Sequence, residues 1–347
     1  MSRKLQATLL LLGGGLFAWM IWRIGPGQLW ANAERTGWFF LPIVLSYFFV
    51  YALNAWSWQL MMAEEASRPG YWRTFSITAS AFALNYLTPM VQAGGEPYKV
   101  AAVAPWLGTQ RAVGSVVLWR MLHSLSYLIA WFVAAVLGFF VLPLEPKVVV
   151  GLGLGVLGVG GLILGLLFLH REGVMERLLD VLHRVPLLDR VARLIEPRRE
   201  ALVAMDRQIA DFYHRAPRRF AAALAIECLA RAVFAAEFWL ICYSVGVRLD
   251  ALQSFVLPGL SSLIQNALFI IPYQLGTNEG AGFVLFQLVG FEPSLGVYTA
   301  IVSRLRDLSW IGLGLLLLGM GGTARAGRPL TSAAAPADTP EEPRQEA

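Results

Sequence analysis

Residues Asn85–Lys99 read NYLTPMVQAGGEPYK and break an otherwise apolar region with a proline, two adjacent glycines, a carboxylate, a second proline and a lysine. Such polar, helix-breaking backbone is costly in hydrocarbon, where no water satisfies exposed N–H and C=O groups. It persists only inside protein or beside a wet cavity, so the stretch marks a candidate site. A related break, NALFIIPYQLGTNEGAG at Asn266–Gly282, comes late in the chain. Each runs Asn, Pro, Gly, Glu: Asn85, Pro89, Gly94 and Glu96 in the first, Asn266, Pro272, Gly276 and Glu279 in the second.

The surroundings of these breaks fix the solvent. Of 347 residues, 57% are hydrophobic and 15% charged, with 12 tryptophans, a balance too apolar for an ordinary soluble domain. The expected fold is all-α, a polytopic integral membrane helix bundle. Cys228 and Cys242 lie in one apolar segment without CxxC spacing and read as packing residues. His123, His170, His183 and His214 are scattered, so no zinc-type set is expected, and no cofactor is implied.

Apolar runs follow one another along the chain. Residues 5–22 form a first span, retained because no small-residue cleavage site follows. Residues 38–62 form a second, with tryptophans and tyrosines suited to an interfacial belt. Residues 75–88 and 97–104 are too short to cross comfortably and flank the first break, so 75–104 reads as a re-entrant pair. Long spans at 113–142 and 148–169 complete an N-terminal membrane half, 1–169. The GxGxxG at 153–158 sits inside an apolar span rather than after a strand, so it is not a dinucleotide motif. Its glycines suit close helix approach, as do Gly151/Gly155 and Gly161/Gly165, and such faces allow a homo-oligomer.

Residues 170–219 differ in kind, with eleven arginines against eight acids, interleaved with apolar positions such as Leu178, Leu182 and Ile209. That pattern suits amphipathic helices on an anionic inner leaflet, and the near balance of acids argues against nucleic acid as a partner. The C-terminal membrane half, 220–321, holds a span at 220–246, a second re-entrant pair at 252–291 and a final span at 296–321. The tail, 322–347, is rich in Ala, Pro and charge and is expected to be disordered and cytoplasmic. With 170–219 placed in the cytoplasm by the positive-inside rule, counting spans puts both termini inside as well, in a bacterial-type inner membrane. The two breaks then enter from opposite faces, as an inverted repeat around a midplane site requires. Two full crossings per pair would preserve the same parity.

Charge supports the duplication. Glu96 precedes Arg120 by 24 residues, and Glu279 precedes Arg304 by 25. An ionisable group inside a membrane costs roughly 2.5–3.5 kcal/mol on insertion scales unless it finds a partner or water. These residues are therefore expected to face the interior. Competing structural readings are that Arg120 and Arg304 snorkel, that Arg304 pairs with Asp307 one turn away, and that Glu227 and Arg231 pair at i, i+4.

Together GGEPYK at 94–99, IPYQLGTNEG at 271–280 and RLRD at 304–307 resemble the lysylphosphatidylglycerol synthase transmembrane-region family, over about residues 7–321. The resemblance implies a flippase-like integral membrane protein. Bifunctional members carry a following aminoacyl-transferase domain, and this chain is expected to lack one and to be no enzyme. Some stand-alone members are associated with hopanoid or glycolipid pathways. Tyr273-Gln274-Leu275 stands where many members have a run richer in Gly and Pro, so headgroup preference does not transfer.

The function expected is movement of a membrane lipid headgroup, with an anionic phosphate, between leaflets. Half-helix N-termini at the breaks, with Gly94 and Gly95 in the first, would favour phosphate. Arg120 and Arg304 would fork onto its oxygens. Glu96 and Glu279 would hold those arginines in the empty site or bind a cationic headgroup. Asn85, Asn266, Gln274 and Asn278 would add neutral hydrogen bonds, and Lys99 is either a further ligand or a surface lysine. Alternatives are a membrane-surface enzyme of lipid synthesis, for which no DxD, HExxH or SxxK set is present, a secondary transporter using Glu96 or Glu279, and an accessory scaffold.

Overall fold

Hydrocarbon forces a chain to satisfy its own backbone, and an apolar chain without β-barrel alternation does so as helices. The computed structural model describes Trp22 and residues 26–62, 68–87, 94–143, 145–171, 216–267 and 277–321, and no strand occurs among them. The helices are α1 (Pro26–Thr36), α2 (Phe40–Met61), α3 (Tyr71–Leu87), α4 (Gly95–Leu107) and α5 (Thr109–Val141). They continue with α6 (Pro146–Arg171), α7 (Pro217–Ser244), α8 (Ala251–Ala267), α9 (Thr277–Leu288) and α10 (Pro293–Gly321). The first span but for Trp22, the tips of both breaks (88–93 and 268–276), most of the basic segment (172–215) and the tail lie outside the described residues.

Helix boundaries follow local chemistry. Proline opens α1, α6, α7 and α10, where its missing N–H costs nothing. Asp250 and Gln253 cap α8 reciprocally: the Gln253 N–H donates to Asp250 Oδ1 (2.7 Å) and the Asp250 N–H to Gln253 Oε1 (3.2 Å). Gly290, at φ 79°, supplies the left-handed turn after α9.

Trp30–Met61, Thr109–Val141 and Pro146–Gly165 are long and apolar enough to cross a membrane. Their outward faces carry Leu45, Phe49, Trp56, Leu154 and Leu164, exposed as lipid-facing residues are. The protein is thus a membrane protein. Helices α7 and α10, 28 and 29 residues long, also have spanning length, but they bury Glu227, Arg231, Glu237, Arg304 and Arg306. By contrast α3 (17 residues), α4 (13), α8 (17) and α9 (12) fall short of the ~20 residues of a full span.

Helices from before and after residues 172–215 interlock. Trp58 on α2, Val103 on α4, Trp119 on α5 and Ala223 on α7 share one apolar cluster, and Ile43 of α2 packs with Ile241 of α7. Tyr51 and Phe75 surround Trp310 of α10, and a methyl on Gly314 of α10 would lie 2.6 Å from the Ala79 carbonyl of α3. So α7 seats on α2 and α10 on α3. The GxGxxG lies within α6, where Gly155 meets Ala135 and Gly160 meets Phe132. Gly151, Gly161 and Gly165 face open space, so of the two spaced pairs only Gly155 brings helices of this chain together.

Candidate functional site

At the first break the last turns of α3 meet the start of α4. Gly95 packs on the Ala81 carbonyl so closely that any side chain would collide with it. Its N–H donates to Asn85 Oδ1 (2.6 Å), satisfying one of the orphan donors of a helix N-terminus. Asn85 Nδ2 in turn donates to Glu96 Oε2 (3.1 Å), and Arg120 Nη1 on α5 donates to Glu96 Oε1 (3.2 Å). The Arg120 side chain remains 46% exposed. Gly94 stands just before α4 and contributes no side chain.

Lys99 is not a surface lysine. It is 2% exposed, with Nζ 3.2 Å from the Trp119 ring centroid and 5.5 Å from that of Trp58, so two indole faces rather than a carboxylate hold the ammonium.

The second break repeats the scheme. Gln265 Nε2 donates to Asn278 Oδ1 across the break (2.8 Å). Glu279, in the first turn of α9, takes both arms of Arg304: Nε to Oε1 at 2.9 Å and Nη2 to Oε2 at 3.1 Å. Both sequence-spaced Glu–Arg pairs therefore form, and Asp307 sits instead against Arg306 Nε (3.4 Å). The amide equivalent to Asn85 is Gln265, not Asn266, whose Nδ2 turns back to its own helix at the Ser262 carbonyl (2.9 Å). Gln274 lies outside the described residues.

Two further ionic clusters were not assigned to the site from sequence. Glu227, fully buried on α7, accepts from Trp119 Nε1 (3.0 Å) and lies 2.8 Å from His123 Nδ1 on α5. Its expected partner Arg231 is farther, at 3.6 Å, and stacks over Tyr127. Arg306, 2% exposed, donates Nη1 to Glu237 Oε2 (3.2 Å) and lies 3.5 Å over Tyr47. The signal was available: both are ionisable groups inside long apolar spans.

These elements enclose a cavity of about 570 Å³, a size suited to a headgroup. Asn85, Lys99, Arg120, Asn266, Asn278 and Asp307 line it, whereas Glu96, Glu279 and Arg304 do not. Its charged lining, among the described residues, is Lys99, Arg120, Arg231 and Arg306 against Asp307. Among the described residues the lining therefore carries more cationic than anionic side chains, a balance that favours an anion. Among the described residues no group of His, Cys, Asp and Glu could hold a metal ion.

Lys99 gives the clearest test of this arrangement. A desolvated ammonium without a carboxylate destabilises the fold, so Lys99→Met should raise the thermal midpoint of the detergent-solubilised protein while weakening its binding of anionic lipid. A midpoint that falls would show that the indole contacts outweigh desolvation.

The model of the lysylphosphatidylglycerol synthase TM region matches residues 6–315, a stretch that contains both breaks and the RLRD run. No curated protein and no solved structure matches the chain. Helical architecture, paired breaks and a match over most of its length agree: the chain belongs to the lysylphosphatidylglycerol synthase transmembrane-region family.

Proposed function

We propose that the protein moves a lipid headgroup bearing an anionic phosphate between the leaflets of a bacterial-type inner membrane, as a transporter rather than an enzyme. The observation that carries this reading is the lining of the cavity, where among the described residues four cationic side chains face one carboxylate. Phosphate binds the exposed side of Arg120 and the guanidinium of Arg306 through charge-assisted hydrogen bonds, while the acyl chains stay in lipid. Glu96 and Glu279 hold Arg120 and Arg304 in position until the headgroup arrives. In this arrangement the short helix pairs are re-entrant, the two halves form an inverted repeat, and both termini are cytoplasmic.

Proteoliposomes with fluorescent phosphatidylglycerol test the reading directly. A charge-assisted hydrogen bond is worth about 1.5–3 kcal/mol, so Arg120→Ala should weaken lipid binding by roughly ten- to a hundredfold and slow translocation. Because Arg120 is half exposed, its ion pair contributes only about 0–1 kcal/mol to stability, and the loss is not one of folding. Wild-type translocation in Arg120→Ala would remove Arg120 from the site. Uptake of a small solute without lipid movement would establish a solute transporter instead.

A further inference from the structure

One cluster is overdrawn in negative charge. Glu237 on α7 and Asp307 on α10 both lie against the single guanidinium of Arg306. The neighbouring Arg304 is already held by both oxygens of Glu279. Two carboxylates sharing one cation in a desolvated place cannot both ionise cheaply, and they titrate as a pair.

A second observation points to the same place. Glu237 is 1% exposed, and its Oε1 has no hydrogen-bond partner among the described residues. An ionised, buried carboxylate oxygen without a protein donor is expensive, whereas a neutral carboxyl is tolerated. The other titratable groups facing the cluster are Tyr47 and Tyr51 on α2, Tyr86 on α3 and Tyr127 on α5. Arg304 also acts on Asp307, but its charge is already matched by Glu279 on α9, and α8 carries no titratable side chain.

We infer that Glu237, Arg306 and Asp307 form a proton-binding site whose occupancy is linked to anion binding in the cavity. This rests on the translocation reading for its purpose but not for its chemistry. Arg306 and Asp307 line the cavity, and Glu237 stands behind them. With the cavity empty, one proton is shared by the two carboxylates and the cluster is neutral. A phosphate that engages Arg306 competes with Glu237 for the same guanidinium, and the carboxylates respond by taking up a second proton. That proton enters from cavity water at Asp307, whose side chain is 18% exposed. Linkage is reciprocal, so acidification tightens anion binding, by up to about tenfold per pH unit for one proton taken up. The negative headgroup then crosses accompanied by a proton.

The test uses the full-length protein. Infrared spectra at neutral pH should show a protonated, buried carboxyl stretch in the wild type. It should vanish in Glu237→Gln and equally in Asp307→Asn, because either change leaves one acid matched to Arg306. Adding short-chain phosphatidylglycerol in weak buffer with a pH indicator should produce net proton uptake by the wild type. Absence of the carboxyl band in the wild type overturns the proton site. A band without lipid-induced uptake, in protein that translocates labelled phosphatidylglycerol, overturns the linkage. Band and uptake in protein that moves no lipid support the site and sink the translocation reading alone. The wild-type measurements decide the matter even if neither variant folds.

Discussion

Arg306→Met is expected to destabilise the protein by about 3–5 kcal/mol, the cost of leaving buried charge without its partner. Among the described residues Arg306 is the ion-pair partner of Glu237 and the near neighbour of Asp307, and its guanidinium also covers Tyr47. Removing it strands Glu237 and leaves Asp307 with only Arg304, whose charge Glu279 already takes up. Glu237→Gln, which keeps the shape and removes surplus negative charge, should be far milder. The measurement is denaturant or thermal unfolding of both variants in the same detergent. Combining Arg306→Met with Glu237→Gln and Asp307→Asn should recover most of the loss, since a neutral cluster needs no counterion. An Arg306→Met protein within 1 kcal/mol of wild type would mean that the acids are relieved without Arg306. A carboxyl band stronger than in the wild type would then show uptake of a second proton, and its absence would show that water reaches the cluster freely and the proton site would fall.

The other large effect is expected at the contact of α9 with α10. Gly282 and Gly296 approach backbone to backbone, and a methyl on Gly282 would lie 2.5 Å from the Gly296 carbonyl oxygen. Inserting a methylene into a packed interior costs typically 1–3 kcal/mol through displaced side chains. Here the obstacle is main chain on both sides, so Gly282→Ala and Gly296→Ala should fall at or above the top of that range. The displacement acts on α9 itself and carries Glu279, one turn away, off Arg304. Translocation should therefore fall further than stability alone explains. Gly161→Ala is the control: its added methyl meets open space, and it should be neutral or slightly stabilising. Equal behaviour of all three variants would show that α9 and α10 tolerate separation.

The parts legible in the sequence were those governed by helix length and by the cost of polar groups in lipid. Glu96 to Arg120 and Glu279 to Arg304 span similar intervals, each a short helix and the entry to a long one, and both pairs formed. Lys99 was ambiguous because the deciding groups, Trp58 and Trp119, come from α2 and α5 and are invisible to local spacing. Asn266 and Gln265 both line the cavity, but it is Gln265 that bonds across the break to Asn278, since one step along α8 turns a side chain from the break towards its own helix. Glu237 and Arg306, 69 residues apart, meet only because α7 packs on α10. No periodicity encodes that crossing.

The seating of α7 on α2 and of α10 on α3 has a consequence for biogenesis. Helices leave the ribosome in order, so His123 and Trp119 enter the bilayer before Glu227 exists to meet them. The Gly314-shaped groove at Ala79 and Ala83 waits until the final helix is made. The nascent N-terminal half is thus an unfinished solvent shell for its own polar groups.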